Sequence, residues 1–234
     1  MEPEISIIIP LYNEVENIEP LAHAIINALK SYAYEVIVVD DGSTDGSAEK
    51  LKKWCAEHAG FRTIRFKKNA GQTAAMDAGF KHAAGKYVVS MDADLQNDPA
   101  DIPKLLGQLK SYDMVCGWRL KRNDPLIKRI SSKVANYIRN KLSWEDIKDT
   151  GCSLKAYRKE CLDKIKLFNG MHRFLPTLFK MEGFSVTEII VAHHPRKYGK
   201  SKYGVSNRAV RAFVDLLAIR WMKKRKLRYE VENE

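Results

Sequence analysis

The chain has 234 residues, 45% of them apolar, with 40 Lys and Arg against 29 Asp and Glu and a net charge of +11. That is enough apolar material for a core, while no stretch approaches the roughly 20 apolar residues that would span a bilayer as a helix. Four scattered cysteines (Cys55, Cys116, Cys152, Cys161) show no C-x-x-C and no His at metal spacing, which excludes a zinc ribbon or a disulfide framework and points to a reducing compartment.

Residues 5–9, Ile-Ser-Ile-Ile-Ile, read as a buried strand stopped by Pro10. Residues 17–30 carry helical spacing through Ile18, Leu21, Ala22, Ile25, Ile26 and Leu29. A second apolar strand over 35–39 ends in Asp40-Asp41-Gly42-Ser43, and a helix follows at 45–58. Residues 62–66 read as a third strand, 71–84 as a helix, and 86–91 as a fourth strand running into Asp92-Ala93-Asp94-Leu95-Gln96. A helix over 101–109 and a short strand over 113–116 close this part of the chain. Apolar strands alternating with amphipathic helices predict an α/β fold with a mainly parallel sheet covered on both faces. Ligands in such sheets bind beyond the carboxyl ends of the strands. Tyr12-Asn13-Glu14, Asp40-Asp41 and Asp92/Asp94 all fall there.

After Gly117 the character changes. Residues 1–118 hold 12 basic and 17 acidic side chains, residues 119–234 hold 28 and 12. The basic half is expected to meet a polyanion: nucleic acid, an anionic membrane surface or a phosphorylated substrate. Residues 126–142 read as a basic amphipathic helix with Leu126, Ile130, Val134 and Ile138 on one stripe. Residues 173–181 read as helix and 185–191 as a strand. A polar loop over 194–204 leads to a final helix over 207–226, with Val210, Phe213, Leu217 and Trp221 on one face. The acidic start, Met1-Glu2-Pro3-Glu4, has no leader-like character. The expected location is therefore cytoplasmic, with the apolar stripes and surrounding Lys and Arg resting on the cytoplasmic face of a membrane; the alternative is that these helices pack on the core or on a second subunit, and a membrane-embedded partner protein is a further possibility.

Several chemistries lack their signatures. No G-x-x-x-x-G-K-[ST] is present, no G-x-G-x-x-G follows the first strand, and no G-x-S-x-G elbow appears. What remains is an acidic sheet edge beside a basic half. Two carboxylates and an amide on alternate positions, Asp92, Asp94 and Gln96, suit a hard divalent cation shared with substrate phosphates. A nucleic-acid module would leave these acids unexplained beside a polyanion, so no nucleic-acid partner is expected.

Pro10-Leu11-Tyr12-Asn13-Glu14, Val39-Asp40-Asp41-Gly42-Ser43-Thr44-Asp45, Asn69-Ala70-Gly71-Gln72 and Asp92-Ala93-Asp94-Leu95-Gln96 resemble the inverting family 2 glycosyltransferases of the GT-A fold. Gly117-Trp118-Arg119, Arg129-x-x-Ser132-x-x-x-Asn136, His172-Arg173-Phe174-Leu175-Pro176 and Arg196-x-x-Gly199-x-Ser201-Lys202-Tyr203-Gly204 narrow the likeness to polyprenyl-phosphate sugar synthases of the dolichyl-phosphate mannose synthase type. The likeness covers residues 4–205. It implies a GT-A domain over 1–205, with a nucleotide-sugar half (1–118) and an acceptor half (119–205), followed by a basic amphipathic helix and acidic tail (206–234).

The same resemblance implies transfer of a sugar from GDP-mannose or a UDP-hexose to a polyprenyl or dolichyl phosphate, with inversion and with Mg²⁺ or Mn²⁺. Pro10, Tyr12, Asn13, Glu14, Val39, Asp41, Asn69, Gln72, Asp92, Ala93 and Asp94 would line the donor, with Asp41 at the base. Asp92, Asp94 and Gln96 would hold the metal. Arg119, Arg129, Ser132, Arg196 and Lys202 would gather phosphates, and with Asp94 form the reacting centre. A phosphate acceptor needs no protein base. The alternative, a saccharide hydroxyl acceptor, wants a carboxylate base, for which Asp149 is the position to examine; His172, His193 and His194 are weaker choices.

Overall fold

The computed structural model describes residues 2–120, 147–198, 205–227, 229 and 232. The expected helix over 126–142 and the loop over 199–204 lie outside them. Seven strands form one sheet: β1 (Ile5–Leu11), β2 (Tyr34–Asp40), β3 (Phe61–Arg65), β4 (Tyr87–Ser90), β5 (Met114–Trp118), β6 (Lys155–Arg158) and β7 (Val186–Ile190), in the order β3-β2-β1-β4-β6-β5-β7. All neighbours pair in parallel except those of β6, which runs antiparallel to both β4 and β5. The sheet is therefore mainly parallel, as the sequence predicts, with one reversed strand that the sequence reading passes over.

Helices α1 (Ile18–Ala28), α2 (Ser47–Glu57), α3 (Gln72–His82) and α4 (Ile102–Gln108) connect or follow the first strands. Further on lie α5 (Lys159–Leu162), α6 (Leu175–Met181) and α7 (Val205–Arg225). Two apolar layers cover the sheet. One contains Ile7, Ile9, Leu21, Ile25, Leu51 and Trp54; the other contains Ile8, Ile37, Val39, Met76, Phe80, Tyr157 and Phe179. Successive residues of β1 and β2 divide between the layers, because side chains alternate along a strand.

Pro10 does not stop β1. The strand continues to Leu11, with Pro10 beside Val39. The reason lies in the ladder. Leu11 O accepts from Asp41 N on the β2 side, while Ile8 O accepts from Met91 N on the β4 side. By alternation the amide position of residue 10 faces β4, where the β1–β4 ladder has already ended at Ile8↔Ser90. A proline there forfeits no hydrogen bond.

The chain divides into two compact units, residues 1–124 with 147–201, and residues 125–146 with 202–234. The first contains the whole sheet. In the second, α7 buries Leu216 and Ile219, while Phe213, Val214, Leu217 and Trp221 are exposed. The apolar stripe predicted from Phe213, Leu217 and Trp221 is thus a solvent-facing one. No helix among the described residues is long and apolar enough to cross a membrane.

Candidate functional site

The carboxyl ends of β1, β2 and β4 lie at one edge of the sheet and carry the three acidic motifs. Short polar staples join them. Asn13 N donates to Ser43 Oγ (2.9 Å), Thr44 N to Asn13 Oδ1 (2.7 Å), and Val15 N to Asp45 Oδ2 (3.1 Å). The serine, threonine and aspartate of the D-D-G-S-T-D run therefore fix the Tyr12–Glu14 turn, a structural role the motif alone does not reveal. Gly42 has φ of +74°, and a Cβ on it would meet Asn69 N and Lys68 C at 2.8 Å. Only glycine fits, on both conformation and space. Gly42→Ala is expected to pry the 68–71 loop away, lowering nucleotide affinity by about 5- to 150-fold for a loss of roughly 1–3 kcal/mol. Titration calorimetry with UDP and GDP would check this.

Asp41 is buried and holds that loop. Its carboxylate accepts from Asn69 Nδ2 (2.9 Å), Ala70 N (2.6 Å) and Gly71 N (2.9 Å). Burial pushes its carboxyl above the ordinary range, against the pull of the Ala70 and Gly71 amides. One residue further, Gln72 Nε2 donates to Asp92 Oδ1 (2.8 Å). The N-A-G-Q run thus bridges the end of β2 to the residues after β4. Val39 and Ala93 are buried in the core, so any share they have in the site belongs to their backbone. Pro10 and Tyr12 are half-buried at the same edge.

Asp92 and Asp94 stand together, as the opening of the acidic motif predicts. Burial, and then the charge of Asp94, push the Asp92 carboxyl up; Ser153, Lys155 and Arg119 oppose the shift. Leu95 takes φ of +60° and Asn13 +52°, the two non-glycine residues with positive φ among those described. Both sit in turns at the carboxyl ends of β1 and β4. For leucine this conformation is strained, by roughly 1–3 kcal/mol. It folds Gln96 N back onto Asp94 Oδ1 at 3.2 Å.

The segment after β7 then crosses this turn. Ala192 N donates to Asp101 Oδ2 (2.7 Å), Asn97 and His193 form a bridge, and His194 N donates to Gln96 O (2.9 Å). His194 Nε2 pairs with Asp98 Oδ2 at 3.1 Å. These bonds deliver Arg196, whose Nη1 donates to Glu14 Oε1 (3.0 Å) and Nη2 to Asp94 Oδ2 (2.7 Å). The structure thus brings Glu14, Asp92, Asp94 and Arg196 into one place. Arg129, Ser132 and Lys202 lie outside the described residues.

Arg119 follows β5 and faces Asp149. Its Nε donates to Asp149 Oδ2 (2.7 Å) and its Nη2 to Oδ1 (2.9 Å), and its backbone N also reaches Oδ2 (3.2 Å). Asp149 is therefore engaged at both oxygens by a permanent cation, a poor state for a general base. His172 Nδ1 is 2.6 Å from Thr73 Oγ1, so it ties the loop before α6 to α3. The residue that the sequence reading misses is Lys155. It begins β6, is 3% exposed, and donates to the carbonyls of Thr150 and Cys152, which holds the Thr-Gly-Cys turn beside Asp149.

Residues 6–166 match the model of the family described as Glycosyl transferase family 2. The chain belongs to that family. Among curated relatives, it is 39% identical over 233 residues to the dodecaprenyl-phosphate galacturonate synthase of Rhizobium johnstonii, an alignment covering 96% of this chain and 69% of the relative. It is 36% identical over 204 residues to the undecaprenyl-phosphate 4-deoxy-4-formamido-L-arabinose transferase of Salmonella typhimurium, covering 86% of this chain and 62% of that protein. This family 2 member is thus a glycosyltransferase whose relatives are polyprenyl-phosphate sugar synthases. Its fold is also that of glucosyl-3-phosphoglycerate synthase from Mycobacterium tuberculosis, solved with Mn²⁺, UDP-glucose and phosphoglyceric acid (TM-score 0.71, 19% identity, covering 94% and 80% of the two chains). A mannosyltransferase from Pyrobaculum calidifontis, solved with GDP-Man and Mn²⁺, is similar too (TM-score 0.64, 21% identity, covering 96% and 64%). These last two likenesses speak for the GT-A fold.

Among the described residues no group of three His, Cys, Asp or Glu gathers as a metal cage. Two carboxylates and one amide do fit Mg²⁺ or Mn²⁺, which commonly complete their shell with substrate phosphates and water. Burial first and the neighbouring charge of Asp94 second raise the Asp92 carboxyl; a cation would relieve the second of these.

Proposed function

We propose that this glycosyltransferase moves a sugar from a nucleotide-diphosphate sugar to a polyprenyl phosphate, with inversion at the anomeric carbon. The observation that carries the reading is the Glu14–Arg196–Asp94 bridge. It joins the acidic donor edge to an arginine from the basic half, where two sets of phosphates would have to meet. The relatives differ in the sugar they are named for and agree in polyprenyl phosphate. We therefore assign the acceptor class and leave the sugar to experiment.

The chain's own residues do most of the work by placement. Asp41 and the 69–71 loop offer a rigid wall for the nucleoside. Asp92, Asp94 and Gln96 would hold Mg²⁺ or Mn²⁺, which supplies charge neutralisation for the departing diphosphate. An acceptor phosphate oxygen is already ionised near neutral pH, so the protein has only to align it behind the anomeric carbon and screen the repulsion of two anions. Arg196 is suited to that, because its guanidinium makes two parallel bonds to oxyanions. The Arg119–Asp149 pair weighs against the saccharide-hydroxyl alternative, whose first candidate for a base is Asp149.

Transfer of labelled sugar into the organic phase, from a panel of nucleotide sugars with a short polyprenyl phosphate, tests the reading. Lipid product with Mg²⁺ or Mn²⁺, and its loss on adding chelator, is expected from one donor. Metal-dependent donor binding with no lipid product would overturn the acceptor class and keep the donor half of the reading.

The exposed stripe of α7 is where we place the membrane surface. Phe213, Leu217 and Trp221 project beside exposed Arg220, Lys224 and Arg225, the composition of an interfacial helix on anionic lipid. The full chain is expected to float with vesicles containing phosphatidylglycerol and to sediment with neutral ones at moderate salt. Phe213→Glu/Leu217→Glu/Trp221→Glu should lower the floated fraction at least about fivefold, because burying each apolar side chain contributes roughly 1.5–3 kcal/mol. Equal flotation of both forms would remove this helix from the interface.

A further inference from the structure

Arg196 and a divalent cation want the same atom. Asp94 Oδ1 takes the Gln96 amide at 3.2 Å, and Oδ2 takes Arg196 Nη2 at 2.7 Å. The other guanidinium nitrogen holds Glu14 at 3.0 Å. Both acids are well shielded, with side-chain exposures of 10% for Glu14 and 11% for Asp94. Water therefore competes weakly for these charge-assisted bonds. Nor does Arg196 wander into this position. The bonds of Ala192 to Asp101, of His194 to Gln96 and of His194 to Asp98 fix the strap that carries it.

We infer that Arg196 is a place-holder for the cation, so that metal and diphosphate bind as a linked pair. The inference rests on the proposed reading of Asp94 as a metal ligand. A guanidinium already satisfying Asp94 raises the free energy that a cation must overcome to enter. A diphosphate changes the balance from the other side. Its oxygens accept from a guanidinium in the same forked geometry as a carboxylate. Arg196 drawn to the diphosphate releases Asp94, and the cation that enters gains phosphate oxygens as well. The coupling is reciprocal: whatever factor nucleotide adds to metal affinity, metal adds to nucleotide affinity. The strap thus makes the protein select a metal–nucleotide complex over either component alone.

The test is Mn²⁺ binding, read from the free-ion EPR signal, with no nucleotide present. R196Q is expected to bind Mn²⁺ about tenfold or more tightly than the wild type, within the usual range of site coupling. R196K keeps the charge but cannot bridge both acids, and is expected to bind Mn²⁺ more tightly than the wild type as well. K197Q removes an adjacent exposed charge and should leave Mn²⁺ affinity unchanged. Adding D94N to R196Q should abolish the gain. Equal Mn²⁺ affinity in wild type, R196Q and R196K overturns the place-holder role, as does an equal gain in K197Q, which would show a general field effect. Calorimetry with UDP and GDP separates this from the underlying reading. If Mn²⁺-dependent nucleotide binding is lost in D94N while R196Q matches the wild type, only the place-holder fails. If D94N retains that dependence, the metal reading of Asp94 falls and takes the inference with it.

Discussion

Asp94→Asn is expected to lower sugar transfer by roughly 10²–10⁴-fold while leaving the sheet intact, a loss of about 3–5 kcal/mol in the transition state. The asparagine keeps a carbonyl oxygen where Asp94 Oδ1 accepts from Gln96 N, so the strained Leu95 turn retains its closing bond. What disappears is charge. The residue is 8% exposed, and at that depth a full carboxylate cannot be replaced by water. Arg196 loses one of its two partners, and the proposed cation site loses one of its two carboxylates. Thermal denaturation should show a small change, and the transfer assay a large one. Activity within about threefold of the wild type would remove Asp94 from the reacting centre, since loss of a charged hydrogen bond alone is worth more than that.

Arg119→Ala carries the largest expected effect on stability. Its guanidinium and the Asp149 carboxylate form a two-pronged pair with side-chain exposures of 13% and 6%. Removing the arginine leaves a buried carboxylate without its cation, a change that typically costs about 3–5 kcal/mol. At roughly 2–4 °C per kcal/mol for a chain of this size, the melting temperature should fall by about 6–20 °C. The double variant Arg119→Met/Asp149→Leu removes both charges together and should recover most of that loss. A single variant that melts with the wild type would show that the pair contributes little. A double variant as unstable as the single would assign the effect to lost packing.

The layers of the fold were legible because parallel strands are apolar on both faces. Ile5, Ile7, Ile8 and Ile9, or Val36, Ile37, Val38 and Val39, leave a run that little else explains. The motifs that begin where those runs end placed Glu14, Asp41 and Asp94 at one edge before any coordinates. Strand β6 was not legible. Lys-Ala-Tyr-Arg is four residues long with a cation at each end, and only Ala156 and Tyr157 look like sheet. Its first residue, Lys155, is buried because two local carbonyls of an irregular turn, those of Thr150 and Cys152, need a donor, a demand created by tertiary structure and invisible to periodicity. Proline was over-read at position 10, where the direction of one missing amide decided the outcome. Arg119 shows a subtler gap. Its basic character suggested phosphate, while its partner Asp149, 30 residues away, could only be seen in the fold.

The reversed strand has a consequence for how this enzyme could diversify. Because β6 runs back down between β4 and β5, the chain leaves the sheet at Trp118 and re-enters it at Lys155 on the same edge. Arg119, just after the exit, and Asp149, just before the return, are held together by their ion pair. A connection that leaves and re-enters a sheet at one edge can change length without altering strand order, and doubling the length of a flexible one adds only about 0.6 kcal/mol of closure entropy. The acidic edge, by contrast, is stapled residue by residue and tolerates little. A chimera that swaps residues 121–146 between family members, cut just inside the Arg119–Asp149 pair, would test the proposal that acceptor choice resides in the half of the chain after Trp118: the acceptor should change with the swap while the sugar transferred stays the same.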